Sequence, residues 1–288
     1  MKTDLVRLAR PRQWVKNAFV AAPLALTPWA LSAANLRAAA LATIVFCLLS
    51  SAVYAVNDWF DREADRLHPE KRHRPLASGA VSPAAGAALA ACLLAASGLL
   101  AAWFLPREFA WYAAGYFALN LAYSFGLKRI SILDVLIVAA GFVLRVDAGA
   151  AVIGVTPSSW IVVATGLLAL FLALAKRRDD LVRTLPGAHR ASLSGYNLRF
   201  VDAALAVTLS ALVVSYLMFV AERASSGGAG ADRLWLTVPF VVAGVLRYLQ
   251  ITLVEERSGS PTDIVLTDRF LIATVLGWVA LYGLLLYA

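Results

Sequence analysis

The sequence predicts an all-α integral membrane protein built from nine transmembrane helices. Three observations carry that expectation. The mean hydropathy is +0.73 and 61% of the 288 residues are hydrophobic, far above a soluble domain. Charged residues make up 15%, against the usual ~25%. Apolar stretches recur along the chain, each near the ~20 residues that cross a bilayer.

The first stretch, 17–34, contains Pro23 and Pro28, which should kink or break it. Such breaks are tolerated where neighbouring helices re-satisfy the backbone. The second, 37–56, runs directly into the polar string 57–65. After the polar loop 57–83 come the third and fourth, 84–105 and 109–126. The fifth, 132–154, carries Arg145. Pro157 marks the turn before the sixth, 159–175. The polar loop 176–200 leads to the seventh, 201–221, and a Gly-rich loop at 225–232 to the eighth, 234–254. The ninth is 269–287. No soluble domain remains outside these stretches, so 1–288 reads as one transmembrane domain. The N-terminus is basic, but no cleavable signal peptide is expected, because the apolar stretch is long and lacks a small-residue cleavage site. Cys47 and Cys92 lie inside apolar runs and read as core or lipid-facing residues, not a disulfide; zinc is not expected.

Charge sets the orientation. With the N-terminus inside, 20 of the 26 Lys and Arg face one side: five before residue 17, five in 57–83, Lys128 and Arg129, six in 176–200, and Arg257 and Arg269. Arg37, Arg107, Arg223 and Arg233 face the other, while Arg145 and Arg247 fall inside helices. The asymmetry follows the positive-inside rule. It places the N-terminus and charged loops in the cytoplasm and the chain in a bacterial-type inner membrane. The net charge of +8 therefore calls for no nucleic-acid partner. Homo-oligomerisation stays open, since lipid-facing and partner-facing helix surfaces look alike.

The string Asn57-Asp58-Trp59-Phe60-Asp61-Arg62-Glu63-Ala64-Asp65 carries the most chemical information. If the helix continues through it at about 100° per residue, Asn57, Asp61, Tyr54, Asp65 and Asp58 share an arc of about 100°, with Arg62 and Glu63 outside it. Like charges at i,i+3 and i,i+4 repel. A cation among them relieves that cost. A few oxygen ligands of this kind suit Mg²⁺ bound together with substrate phosphates. The plain alternative is a solvated helix end.

Cations answer the string. Arg66, Lys71, Arg72 and Arg74 follow it, Lys16 opens the first helix and Lys128 closes the stretch 123–128. Lys16 and Lys128 would equally suit interfacial anchors. Arg145 lies roughly 20 Å along its helix, where a lipid-facing charge costs at least ~2.5 kcal/mol. It must line a polar cavity or pair with a carboxylate. Asp147, two residues on, points the wrong way. A cavity-lining role, gripping a phosphate bidentately, is the favoured reading. Arg247 with Gln250 poses the same question.

Asn-Asp-x-x-Asp-x-x-x-Asp after the second of nine helices resembles the UbiA superfamily of intramembrane transferases, over essentially the whole chain. Within it, several stretches look most like the decaprenyl-phosphate phosphoribosyltransferases. They are Arg10-Pro11-Arg12-Gln13-Trp14-Val15-Lys16-Asn17, His68-Pro69-x-Lys71-Arg72-x-Arg74-Pro75, Tyr123-Ser124-x-Gly126-Leu127-Lys128, Leu133-Asp134, Gly141-Phe142-x-x-Arg145 and Lys176-Arg177. The resemblance implies a UbiA-type bundle with a cytoplasm-facing cavity. It also implies Mg²⁺ on Asn57 and Asp61 with help from Asp58 or Asp65, Asp61 and Asp58 being catalytic. Substrates would be held by Lys16, Tyr54, Arg66, Lys71, Arg74, Tyr123, Lys128, Arg145, Lys176 and Arg177. The implied reaction moves phosphoribosyl from 5-phosphoribosyl 1-diphosphate to a polyprenyl phosphate.

One departure matters. Many relatives that use prenyl diphosphates carry a second Asp-x-x-x-Asp after helix six. Here the chain reads Lys176-Arg177-Arg178-Asp179-Asp180. That favours one metal plus cationic side chains over two metals. Prenyl transfer to an aromatic acceptor is the alternative within enzymes. A nine-helix transporter without chemistry is the alternative outside them.

Overall fold

The computed structural model describes residues 2–69, 71–183, 191–227 and 230–287. Arg190 and part of the loop 176–200 lie outside the described residues, as do two residues of the Gly-rich loop. All regular structure among the described residues is helical. The chain divides into two compact units, Met1–Pro157 with Leu185–Ser192, and Ser158–Thr184 with Leu193–Ala288.

The first unit holds α1 (Lys2–Ala9), α2 (Ala18–Ala25), α3 (Ala33–Arg66), α4 (Pro83–Phe104), α5 (Arg107–Phe125) and α6 (Leu133–Val152). The first apolar stretch is not one helix. A 3₁₀ helix, Pro11–Asn17, leads into α2, and a second, Pro28–Ala30, follows it. Pro28 causes the break: the residue before a proline is pushed out of the helical region, and Thr27 sits at φ −130°, ψ 80°. Pro23 lies inside α2 without ending it. The short α2 packs hard on α6. A Cβ on Gly149 would fall within bonding distance of the Val20 carbonyl oxygen, so only glycine permits this approach.

Ser32 caps α3, its hydroxyl accepting from the Asn35 amide at 3.1 Å. At 34 residues the helix is about 50 Å long, well beyond a hydrocarbon core of about 30 Å. Asn57 to Asp65 therefore stay helical, as the arc required. The core beneath them is aromatic: Phe46 meets Phe109 edge-on at 5.7 Å and Tyr116 at 5.4 Å. All three rings are buried among Val20, Leu24, Leu49 and Ala148. Between apolar helices in lipid, such packing is the main cohesive force.

The second unit holds α7 (Ser159–Val182), α8 (Leu198–Ser225), α9 (Val238–Leu253), α10 (Pro261–Thr267) and α11 (Arg269–Tyr287). Ser158 and Asn197 cap α7 and α8. Helix α7 runs past its apolar part and takes residues 176–180 with it. Among the described residues, seven helices are long and apolar enough to cross a membrane: α3, α4, α6, α7, α8, Ala231–Leu253 and α11. The expected first and fourth spans are present as the broken 18–30 segment and as α5, which fall outside that set.

Candidate active site

The five residues of the predicted arc stay on one helix, but their partners divide them into two clusters. In the first, Asn57 and Asp61 meet the end of α5. The Asn57 amide donates to Asp61 Oδ2 at 3.2 Å, and Ser124 Oγ donates to Asn57 Oδ1 at 3.2 Å. Lys128, in the 3₁₀ turn Leu127–Arg129, sets its ammonium 3.3 Å from Asn57 Oδ1 and 2.5 Å from Asp61 Oδ1. These bonds orient the amide: its nitrogen faces the carboxylate and its oxygen faces the cation.

In the second cluster, Asp58 and Asp65 are taken by guanidinium groups. Arg10 Nη2 donates to both oxygens of Asp58, at 2.6 and 2.8 Å. Arg74 Nη1 bridges Asp58 at 3.0 Å and Asp65 at 2.7 Å. Both carboxylates are buried. Arg10 has φ 53°, a left-handed conformation that costs a non-glycine residue about 1 kcal/mol or more. The pair of hydrogen bonds to Asp58 holds it there, with the guanidinium 5.2 Å from the centre of the Tyr54 ring. The expected help of Asp58 and Asp65 at a metal is thus not what the geometry assembles. Two guanidinium groups already neutralise them, and among the described residues no group of three or more His, Cys, Asp or Glu is placed to hold a metal. Asn57 and Asp61 instead converge on one ammonium, that of Lys128.

Arg145 answers the question its position raised. It is 4% exposed and pairs with no carboxylate among the described residues. Its Nε donates to Asn17 Oδ1 at 2.9 Å, Nη1 to the Gly141 carbonyl at 2.7 Å, and Nη2 to the Tyr116 hydroxyl at 2.9 Å. The Tyr116 ring lies 4.5 Å from its Cζ and Phe142 5.2 Å. Neutral groups hold a net positive charge, and three bonds leave two of the five guanidinium N–H donors for another acceptor. Lys16, half-buried in the turn before α2, adds to it. Burial, then the charges of Arg145 and Arg10, push the Lys16 ammonium down to about 8. Lys16 makes no hydrogen bond or ion pair among the described residues.

The remaining expected contacts scatter. Arg66 turns to the Glu63 carboxylate at 2.9 Å and the Ala77 carbonyl at 3.1 Å, bracing the loop after α3. Lys71 is half-buried and contributes positive charge toward Asp65. Tyr123 is half-buried beside Ser124. Lys176 and Arg177 belong to the second unit, where Lys176 is exposed and the buried Arg177 donates to Asp180 Oδ2 at 2.5 Å. Asp179 pairs with Arg183 at 2.8 Å. Arg247 is resolved too: it pairs with Asp268 at 2.8 Å and Glu255 at 2.6 Å and bonds Gln250.

Sequence reasoning passed over Arg10, Asn17, Tyr116 and Ser124 as site residues. For two of them a signal exists. Tyr116, Asn120 and Ser124 recur every four residues in an otherwise apolar helix, one polar stripe facing α3 and α6.

Decaprenyl-phosphate phosphoribosyltransferase of Mycolicibacterium smegmatis is 36% identical, over 99% of this chain and 93% of its own. The enzyme of the same name from Corynebacterium glutamicum is 35% identical over 96% and 84%. A UbiA homologue from Archaeoglobus fulgidus, solved with GPP and Mg²⁺, superposes with a TM-score of 0.77 at 22% identity, covering 98% of each chain. Residues 18–275 match the UbiA prenyltransferase family, and this chain belongs to that family.

Proposed function

We propose that this protein transfers the 5-phosphoribosyl group from 5-phosphoribosyl 1-diphosphate to a polyprenyl phosphate, releasing diphosphate. One observation carries the reading furthest: in the same unit as the Asn57–Asp61 pair, Lys16 and Arg145 are two interacting cations without a carboxylate partner among the described residues. A donor with a diphosphate and a separate phosphate, and an acceptor that is itself a phosphate, supply the missing negative charge. The names of relatives about 35% identical over nearly the full chain support the same substrates.

Mg²⁺ fits the first cluster. Asn57 Oδ1 and Asp61 Oδ1 already point at one cationic atom, and one amide with one carboxylate, completed by diphosphate oxygens, is the donor set Mg²⁺ prefers. When bound, the ion neutralises charge on the departing diphosphate. The residues do the rest. Lys71 and Lys128 stabilise the leaving group, Lys16 and Arg145 position phosphate, and the Tyr54 hydroxyl offers a further hydrogen bond. The bond from C1 to the diphosphate oxygen breaks with its electron pair leaving on diphosphate, and a lipid phosphate oxygen closes the new bond to C1. C1 becomes oxocarbenium-like on the way, as in other glycosyl transfers. A phosphate monoester is already anionic, so no general base is required.

In this reading one transferase domain spans 1–288. Nine helices cross a bacterial inner membrane, with the N-terminus and the site on the cytoplasmic side, in keeping with the Lys and Arg asymmetry. The test incubates purified protein with radiolabelled phosphoribosyl diphosphate, a polyprenyl phosphate and Mg²⁺. A labelled lipid that disappears with chelator and in Asp61→Asn is expected. Label-free lipid, with turnover of a polyprenyl diphosphate and an aromatic acceptor instead, would move the protein to prenyl transfer.

A further inference from the structure

The place a divalent cation would take is held by a side chain of the protein. Lys128 Nζ is 2.5 Å from Asp61 Oδ1 and 3.3 Å from Asn57 Oδ1, the two oxygens that converge on one point. Asp58 and Asp65 face Arg10 and Arg74 instead. Asn57 is pre-set to offer its oxygen by the Ser124 hydroxyl on one side and the Asp61 carboxylate on the other. The lysine side chain is 14% exposed and Asp61 27%, so solvent screens the pair only in part.

We propose that Lys128 is a tethered counter-cation which competes with the divalent ion for Asn57 and Asp61, and that metal loading proceeds by its displacement. Two cations cannot share these oxygens, because Mg²⁺ ligands lie at about 2.0–2.1 Å and an ammonium on the same atoms would meet the ion's charge nearly unscreened. The lysine is built for exchange. It hangs from a 3₁₀ turn after Gly126 by a flexible four-carbon stem, with three donors that rotate freely. Diphosphate arriving with the metal gives the displaced ammonium a new acceptor. Metal alone therefore binds weakly. The ion pair keeps the Asp61 carboxylate neutralised without metal and hands the same positive charge to the leaving group once metal is present. This goes beyond a phosphate contact for Lys128 and rests on Asn57 and Asp61 being the cation site. It does not depend on which group the enzyme transfers.

The test measures Mn²⁺ binding to the full chain in nanodiscs, without substrate, from the electron paramagnetic resonance signal of the free ion. Lys128→Met should bind Mn²⁺ about tenfold more tightly than the unsubstituted protein, and Lys128→Arg no more tightly. Asp61→Asn should abolish binding in both the native and the Lys128→Met background, which locates the ion. Equal or weaker binding by Lys128→Met overturns the proposal. A second measurement needs no variant. Acylation of the Lys128 amine, followed by mass spectrometry, should rise on addition of Mn²⁺ as the amine leaves Asp61; unchanged labelling at saturating Mn²⁺ overturns it equally. Loss of transferase activity with these results intact would count against the transferase reading and not against the exchange.

Discussion

Arg145 and Asn17, 128 residues apart, meet at 2.9 Å, so that an amide at the start of α2 holds a guanidinium deep in α6. Gly149 makes the contact feasible by letting the two helices approach to backbone distance. A cation is thereby stored among neutral groups.

Arg145→Lys should test what that cation does. Lysine keeps the charge but cannot reach Asn17, Gly141 and Tyr116 together while presenting further donors. The expected result is about a hundredfold loss in kcat/KM for the transferase reaction, with the fold intact by thermal unfolding. Arg145→Met removes the charge as well and should lose more. Its stability should fall only modestly, because each abandoned acceptor costs about 1–3 kcal/mol while a lone buried charge is relieved.

Asp58 gives the opposite balance. It is buried and answers two arginines, so Asp58→Ala strands Arg10 and leaves Arg74 with Asp65 alone. Breaking such a pair costs about 3–5 kcal/mol when all partners are buried, and the lower end applies here because Arg10 and Arg74 keep partial solvent contact. A clear fall in Tm for Asp58→Ala, with Mn²⁺ affinity little changed, is the expected pattern. Metal binding lost at unchanged Tm would return Asp58 to the metal site.

Lys16 makes the protein pH-sensitive in a defined direction. Its folded pKa is lowered from 10.5 to about 8, by burial first and by Arg145 and Arg10 second. Between about pH 8 and 10.5 the unfolded chain binds more protons at this residue, so stability rises with pH across that window. A phosphate arriving beside Lys16 restores its proton. Binding of donor above pH 8 should then take up a proton, visible in calorimetry as a dependence on buffer ionisation enthalpy. Lys16→Met should abolish the dependence.

Gly259 tests the second unit. A Cβ there would lie within van der Waals overlap of the Asp179 carboxylate, whose Oδ1 is buried without a partner. Gly259→Ala should destabilise by about 1–3 kcal/mol, as overpacking does. Adding Asp179→Ala should recover part of it, and a double-mutant cycle in nanodiscs measures the coupling.

Much of this site was legible in the chain. Lys16, Asn57, Asp61, Lys128 and Arg145 stood out because each is a polar or charged residue beside or inside an apolar stretch, where its cost demands a partner. Arg10 was harder to read. It sits in a basic N-terminal segment whose charge topology alone explains, and nothing local says that a left-handed turn aims it at a carboxylate. Arg66 was over-read for the converse reason: next to the acidic string in sequence, it is directed by helix phase away from the arc, toward Glu63 and Ala77.

The sequence by itself determined the all-helical class with its long apolar helices, the break at Pro28, the family, and the single arc that gathers Tyr54, Asn57, Asp58, Asp61 and Asp65. Those features depend on composition and on a 3.6-residue period, which are local. Only the tertiary structure decided which cation answers which carboxylate, giving Asp58 to Arg10 from 48 residues away and Asp61 to Lys128 from 67. Coulomb attraction at these separations depends on distance between helices and on what excludes water between them. Helix periodicity carries neither, so packing divided one acidic face into a guanidinium-neutralised clasp at Asp58 and Asp65 and an Asn57–Asp61 pair facing Lys128.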